Sequence, residues 1–317
     1  MISDFVIFSD TKGPDVGIGL REIGAKVSSS TFTSEPCGLS DEVSETGHGI
    51  DFKGFKKLID RCIDGKVDYL VPLGTTGESV TLTQDERRAV MEFTIEVTEK
   101  RLPIMMGLGG NNTVELLRLI EQFDFTGVDG VLSVSPYYNK PSQRGIFQHY
   151  KMIANNCPVP VVLYNVPGRT GSNMDAQTTL DLAHECKNII GIKEASGSIE
   201  KVMQLIADRP KNFMVISGDD MLALPMLACG ADGLVSVIAN AYPKDTAEMV
   251  RSGMEGHFER SRKLHYKLMN ITNAIFADGN PSGIKGLLSL LNVCSEHVRL
   301  PLMPVSKSAL NRIESLI

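Results

Sequence analysis

Several features that would assign a function at once are missing from this chain of 317 residues. No apolar run approaches the roughly 20 residues of a membrane span. The N-terminus lacks the basic-then-apolar order of a secretion signal. A cytoplasmic location with no membrane partner is therefore expected. An excess of basic charge is missing too: 32 Lys and Arg stand against 38 Asp and Glu, a formal net charge of −6. That balance leaves no electrostatic footprint for nucleic acid, so an anionic substrate has to be gripped by particular residues. The six cysteines (37, 62, 157, 186, 229 and 294) include no C-x-x-C pair, and the six histidines no H-x-x-x-H pair. Neither a disulfide framework nor a zinc site is indicated, and neither metal nor cofactor is expected.

With 42% hydrophobic and 22% charged residues, the chain can bury a large core. Residues 1–47 read as an irregular segment, with eight acids, three bases and one plausible strand at 5–8. A transit peptide should be poor in acids, which argues against that role. From residue 48 the pattern becomes regular. Phe52, Phe55, Leu58 and Ile59 repeat at helical spacing, and an apolar strand follows at 69–73. Thr83 with Glu86 forms a capping box for a helix to about residue 99. Strands are then expected at 104–106, 130–135, 159–165, 189–193, 213–217 and 234–238, with helices between them. From 254 to 317 the pattern is helical only. Seven clear strand–helix units and one unclear unit at the front imply parallel pairing. The expected fold is α/β, a (β/α)8 TIM barrel over 48–253 with a C-terminal helical extension over 254–317. The doubly wound alternative lacks a G-x-G-x-x-G after a first strand. Closure depends on whether residues 5–8 supply the first strand, since a structureless loop of about 40 residues inside a compact domain is improbable.

In such a barrel the chemistry gathers at the carboxyl ends of the strands. Those ends carry Gly74-Thr75-Thr76-Gly77-Glu78, Pro136-Tyr137-Tyr138, Tyr164-Asn165, Lys193-Glu194 and Gly218-Asp219. Lys193 closes the apolar run Asn188-Ile189-Ile190-Gly191-Ile192. Strand alternation puts Gly191 and Lys193 on one face, with Ile190 and Ile192 on the other. The glycine is expected to leave space beside the amine. A lysine held among apolar groups has its charged form disfavoured, which makes it a nucleophile toward a ketone or aldehyde. The plainer alternative is a strand-end lysine reaching water. No carboxylate pair, Cys/His pair or metal cluster competes, so the reaction class indicated is Schiff-base catalysis with hydroxyls relaying protons.

Four segments carry a resemblance: Gly74-Thr75-Thr76-Gly77-Glu78-Ser79, Ser135-Pro136-Tyr137-Tyr138-Asn139-Lys140-Pro141, Leu163-Tyr164-Asn165-Val166-Pro167-Gly168-Arg169-Thr170-Gly171 and Gly191-Ile192-Lys193-Glu194-Ala195. In order and spacing they resemble the dihydrodipicolinate synthase family, pyruvate-dependent aldolases related to N-acetylneuraminate lyase. The likeness runs from about residue 50 to the C-terminus. It implies that Lys193 condenses with pyruvate and that the enamine attacks aspartate 4-semialdehyde. Tyr164 would shuttle protons, with Thr75 linking it to Tyr138 from a neighbouring subunit. A homo-oligomer is therefore implied, a dimer or a tetramer built as a dimer of dimers. Thr76, the backbone at Val235 and Gly218 would hold pyruvate, and Arg169 would grip the acceptor's carboxylate bidentately. Ser79, Asn111, Glu115 and Tyr137 match the pocket where many relatives bind lysine. Gln84 and Arg87 stand where some lysine-sensitive relatives carry histidines, so weak or absent inhibition is expected.

Each residue also has a plainer reading. Tyr164 could be a packed strand tyrosine, the 74–78 segment a tight turn, and Tyr137 and Tyr138 interface aromatics. Arg169 could form a surface salt bridge. Glu194 is expected to be a structural partner rather than an acid, Asp219 and Asp220 to cap the next helix, and the Asn280-Pro281 turn to be structural. Two other functions stay open: a sialic acid or sugar-acid lyase of the same superfamily, and a catalytically inactive barrel. Arg169 and the Thr75-Thr76 pair favour the synthase.

Overall fold

The computed structural model describes residues 4–7, as a strand, and 49–317. Expectations for the rest of 1–47 lie outside the described residues. Eight strands form one sheet in the order β2-β1-β8-β7-β6-β5-β4-β3: β1 Asp4–Ile7, β2 Tyr69–Val71, β3 Met105–Gly107, β4 Gly130–Val134, β5 Val161–Asn165, β6 Ile189–Glu194, β7 Met214–Ser217 and β8 Gly233–Ser236. A parallel bridge between Leu70 and Ile104 joins β2 to β3 and closes the ring. The barrel forms as the alternation predicts, with one correction. β1 fills the slot between β2 and β8 but runs antiparallel to both, with Val6 opposite Tyr69 and Val235. Strand alternation sets direction only through a helical crossover, and the connection from β1 towards α1 runs through residues 8–48, outside the described residues.

Residues facing the barrel axis form their own apolar cluster: Val71, Met105, Leu132, Val162, Tyr164, Met214, Ile216 and Val235. A second, larger cluster lies between the strands and the surrounding helices. Helix α1 (Phe52–Asp64) shows why these helices form. Asp51 caps it by accepting from the Gly54 amide at 2.7 Å, and Phe55, Leu58, Ile59 and Cys62 are buried at one-turn spacing. Helix α2 (Gln84–Thr98) opens with both halves of the expected Thr83–Glu86 capping box. The remaining helices are α3 (Thr113–Gln122), α4 (Gln143–Asn156), α5 (Pro167–Thr170), α6 (Ala176–Glu185), α7 (Ile199–Asp208), α8 (Ala223–Ala228) and α9 (Pro243–Met254). Beyond them lie α10 (Phe258–Phe276), α11 (Ser282–Leu290) and α12 (Lys307–Glu314). No helix among the described residues is long and apolar enough to cross a membrane.

Strand β6 departs from simple alternation. Val161 pairs with Ile189 but Val162 pairs with Gly191, so Ile190 is an extra residue in a bulge. Ile190 packs against the interior cluster while Ile192 belongs to the outer one, so the two isoleucines do not share a face. Nor does Gly191 leave room beside the amine. A Cβ there would lie 2.8 Å from the Met214 carbonyl oxygen, so the glycine serves the close approach of β6 to β7.

Candidate active site

Register decides what surrounds Lys193. On β5 its partner is Tyr164 and on β7 it is Ile216. Paired residues in neighbouring parallel strands point the same way, so the amine lies inside the barrel between a phenol ring and an aliphatic side chain. Its Nζ is 4.2 Å from the centre of the Tyr164 ring, and the lysine is only 3% exposed. A strand-end lysine reaching water is therefore ruled out. Gly218 fits against the lysine stem: a Cβ at that position would come within 3.0 Å of Lys193 Cγ and Cε. The Gly218 amide donates to the Glu194 carbonyl at 2.8 Å, which ties the end of β7 to the end of β6.

The neighbouring carboxylate has a separate task. Glu194 accepts from Asn165 Nδ2 at 3.0 and 3.1 Å and from the Ser196 amide at 2.7 Å. It also pairs with buried Lys201 of α7 at 2.8 Å. Lys201 in turn donates to the Met174 carbonyl, and Asn165 donates to Asn173 Oδ1 at 2.9 Å. Three donor groups, the Asn165 amide shared between both oxygens, the Ser196 amide and the Lys201 amine, hold the Glu194 carboxylate, which makes it a structural partner as expected.

The 73–78 turn is conformationally unusual. Leu73 (φ 61°) and Glu78 (φ 53°) both adopt left-handed backbone without being glycine, and Tyr138 (φ 73°) does the same on the next rim loop. Such conformations persist where the surroundings fix them, and they concentrate at functional sites. The surroundings here are specific. Gly107 at the end of β3 lies so close that a Cβ would meet the Leu73 carbonyl. Glu78 forms a buried ion pair with Lys285 of α11, and it also accepts from the Arg299 amide at 3.2 Å. Thr76 Oγ1 accepts from Asn280 Nδ2 at 3.0 Å.

A cavity of about 530 Å³ opens beside the turn, and Thr75, Tyr164, Arg169 and Asn280 all contribute to its wall. Arg169 lies on α5, with Nη2 donating to the Asn280 carbonyl at 3.3 Å. Tyr137 and Ser79 line the same cavity, as do Gln84 and Arg87. Thr76 and Val235 are buried nearby rather than on that wall. Tyr138 stays out of the cavity and is 87% exposed on the rim. Of the other two residues of the second candidate pocket, Asn111 donates to the Tyr137 carbonyl at 3.3 Å, while Glu115 pairs with Arg118 at the surface.

The two aspartates after β7 divide their work. Asp219 accepts from the Met221 and Leu222 amides in the turn before α8, whose N-cap is Leu222 with no side-chain bond, so it shapes that turn instead of capping the helix as expected. Asp220 instead crosses to the end of β8, where it accepts from Ser236 Oγ at 2.5 Å and from the Val237 and Ile238 amides. Burial pushes its carboxyl up to about 6, against the pull of those three donors. Among the described residues no group of three or more His, Cys, Asp or Glu side chains is placed to hold a metal ion.

Sequence reading missed Asn280, Lys285, Lys201 and the cross-barrel role of Asp220. Asn280 lies 204 residues from Thr76, and Lys285 lies 207 from Glu78, so no local pattern could have joined them.

Comparison with known proteins identifies the family. The model of the dihydrodipicolinate synthetase family matches residues 43–317. The 4-hydroxy-tetrahydrodipicolinate synthase of Flavobacterium psychrophilum is 49% identical over 84% of this chain and 90% of its own length. That of Cytophaga hutchinsonii is 46% identical with the same coverage. Among solved structures, dihydrodipicolinate synthase from Thermotoga maritima superposes with a TM-score of 0.83 at 36% identity, covering 86% of this chain and 93% of that one. The Acinetobacter baumannii enzyme, solved in complex with pyruvate, gives 0.82 at 37% identity over 84% and 92%. The chain belongs to the dihydrodipicolinate synthetase family.

Proposed function

We propose that the chain is a lyase of the class I aldolase type that condenses pyruvate with L-aspartate 4-semialdehyde to 4-hydroxy-tetrahydrodipicolinate, through a Schiff base on Lys193. The observation that carries this reading is the buried Lys193 amine over the Tyr164 ring, in register across β5 and β6. The amine adds to the pyruvate ketone and water leaves, giving an imine. Loss of a methyl proton gives an enamine, whose carbon bonds to the aldehyde of the semialdehyde while the aldehyde oxygen takes a proton. The acceptor's own amine then attacks the imine carbon, closes the ring and releases Lys193. Tyr164 is the proton shuttle nearest the amine, with Thr75 beside it on the cavity wall. Thr76, Gly218 and the backbone at Val235 hold pyruvate, and Arg169 holds the acceptor's carboxylate. Tyr138, exposed on the rim, completes the proton path of a neighbouring subunit, so the working form is a homo-oligomer in the cytoplasm. Ser79, Asn111, Glu115 and Tyr137 form a lysine pocket with weak or no inhibitory effect, since Gln84 and Arg87 line its approach.

Reduction with borohydride in the presence of pyruvate tests the central step. A covalent adduct is expected on Lys193 of the unaltered protein, lost in Lys193→Ala. Folded protein without an adduct would overturn this reading and the inactive-barrel alternative would gain. A sialic acid lyase, the remaining alternative, would prefer N-acetylmannosamine as acceptor, and Arg169 favours the semialdehyde instead.

A further inference from the structure

Asn280 stands just before α11, in the C-terminal region, yet it reaches two parts of the substrate site at once. Its Nδ2 donates to Thr76 Oγ1 at 3.0 Å, and its backbone carbonyl accepts from Arg169 Nη2 at 3.3 Å. The residue is 8% exposed, and its side-chain Oδ1 is buried without a partner in the structure. A buried amide oxygen left unpaired is costly, so the amide is held in this orientation for what its other end does.

That end determines the role of the Thr76 hydroxyl. A threonine hydroxyl has one proton to donate and can also accept. Because Asn280 acts as the donor here, the Thr76 proton stays free to be given elsewhere. An acceptor in the same place, such as a carboxylate, would capture that proton. We propose that Asn280 is a positioning residue: its amide sets Thr76 as a hydrogen-bond donor toward the carboxylate of the 2-oxo acid, and its carbonyl aims Arg169 at the carboxylate of the acceptor. The inference rests on the reaction proposed above. The buried pair between Glu78 and Lys285 supports it, because α11 thereby holds the 74–78 turn at a second point. A positioning contact works only between parts that do not drift.

The test separates the two arms of Asn280 by steady-state kinetics on the full-length protein. Asn280→Ala removes the amide and keeps the carbonyl. It should raise KM for pyruvate about tenfold or more, as for loss of a charge-assisted hydrogen bond, while KM for aspartate semialdehyde stays within about twofold. Thr76→Val should raise KM for pyruvate similarly. Adding Asn280→Ala to Thr76→Val should then cost nothing further, because the amide acts through that hydroxyl. Asn280→Asp keeps the shape but takes the Thr76 proton, so it should raise KM for pyruvate more than alanine does. It also provides the reading should Asn280→Ala fail to fold, as judged by its melting curve. Additive effects in the Thr76 pair, an unchanged KM for pyruvate, or equal rises for both substrates would overturn the proposal. Borohydride trapping with pyruvate accompanies each variant. If the unaltered protein forms no adduct, the underlying reaction is wrong; if it does and the Thr76 pair is additive, only the role of Asn280 is wrong.

Discussion

Glu194 and Lys201 form a 2.8 Å ion pair with side chains 1% and 9% exposed, one residue along from the amine that carries the proposed chemistry. A pair so deep contributes little net stability compared with a well-packed apolar substitute, but breaking one side leaves a bare charge in the interior. Lys201→Met should therefore destabilise the fold by roughly 3–5 kcal/mol, read as a lower denaturant midpoint. Glu194→Gln keeps the shape, and its kcat should remain within about tenfold. A loss of the size expected for an acid catalyst, roughly 10²- to 10⁴-fold, would show that Glu194 acts on the reaction itself.

Arg169 sets the acceptor. Its guanidinium reaches the cavity wall from α5 and, among the described residues, donates to the Asn280 carbonyl. Arg169→Ala should raise KM for aspartate semialdehyde by about tenfold or more and leave pyruvate trapping on Lys193 intact. Equal weakening toward both substrates would mean that the arginine supports the barrel rim instead.

A pH dependence follows from Glu86 and Arg299. The Arg299 guanidinium, 2.6 and 2.8 Å from the two oxygens, holds the Glu86 carboxyl at about 2, below its ordinary 4.5. A carboxyl lowered on folding adds stability that is present above the unfolded value and disappears as pH falls from 4.5 toward 2. Both side chains keep about a quarter of their surface in water, which reduces the gain to about 1–2 kcal/mol. Arg299→Met leaves the capping box alone and should melt earlier than the unaltered protein at pH 7. That gap should narrow below pH 4.5; a constant gap would assign the effect to lost packing.

Lysine sensitivity is the fourth prediction. Arg87 Nε donates to the Ser79 carbonyl at 3.0 Å, so a fixed cation occupies the approach to the proposed pocket. A second cation, the free amino acid, is disfavoured there. Initial rates titrated with lysine should change little into the millimolar range. Strong inhibition at low concentration would contradict this.

Most of the barrel was legible from the sequence because its signals are local. The Thr83–Glu86 box, the one-turn spacing of Phe55, Leu58 and Ile59, and the polar residues following each apolar run depend on neighbours a few positions away. Lys193 and Tyr164 were readable for the same reason, as each stands one residue before the end of a strand. The bulge at Ile190 was not, because an inserted residue leaves hydrophobic composition unchanged while shifting the face. The antiparallel direction of β1 was also hidden, since a short apolar run such as Phe5-Val6-Ile7 reads alike in either direction. In the sequence Asn280 reads as an ordinary turn residue and Lys285 as one position of a helical stretch, and only tertiary contact reveals what they hold.

The Glu78–Lys285 contact joins positions 207 apart. Translation proceeds from the N-terminus, so the turn carrying Thr75 and the strands carrying Tyr164 and Lys193 leave the ribosome well before the helix that secures the 74–78 turn. A chain ending between β8 and Lys285 carries all eight strands but lacks the anchor for that turn. The 74–78 turn therefore gains that anchor only after all eight strands have been made.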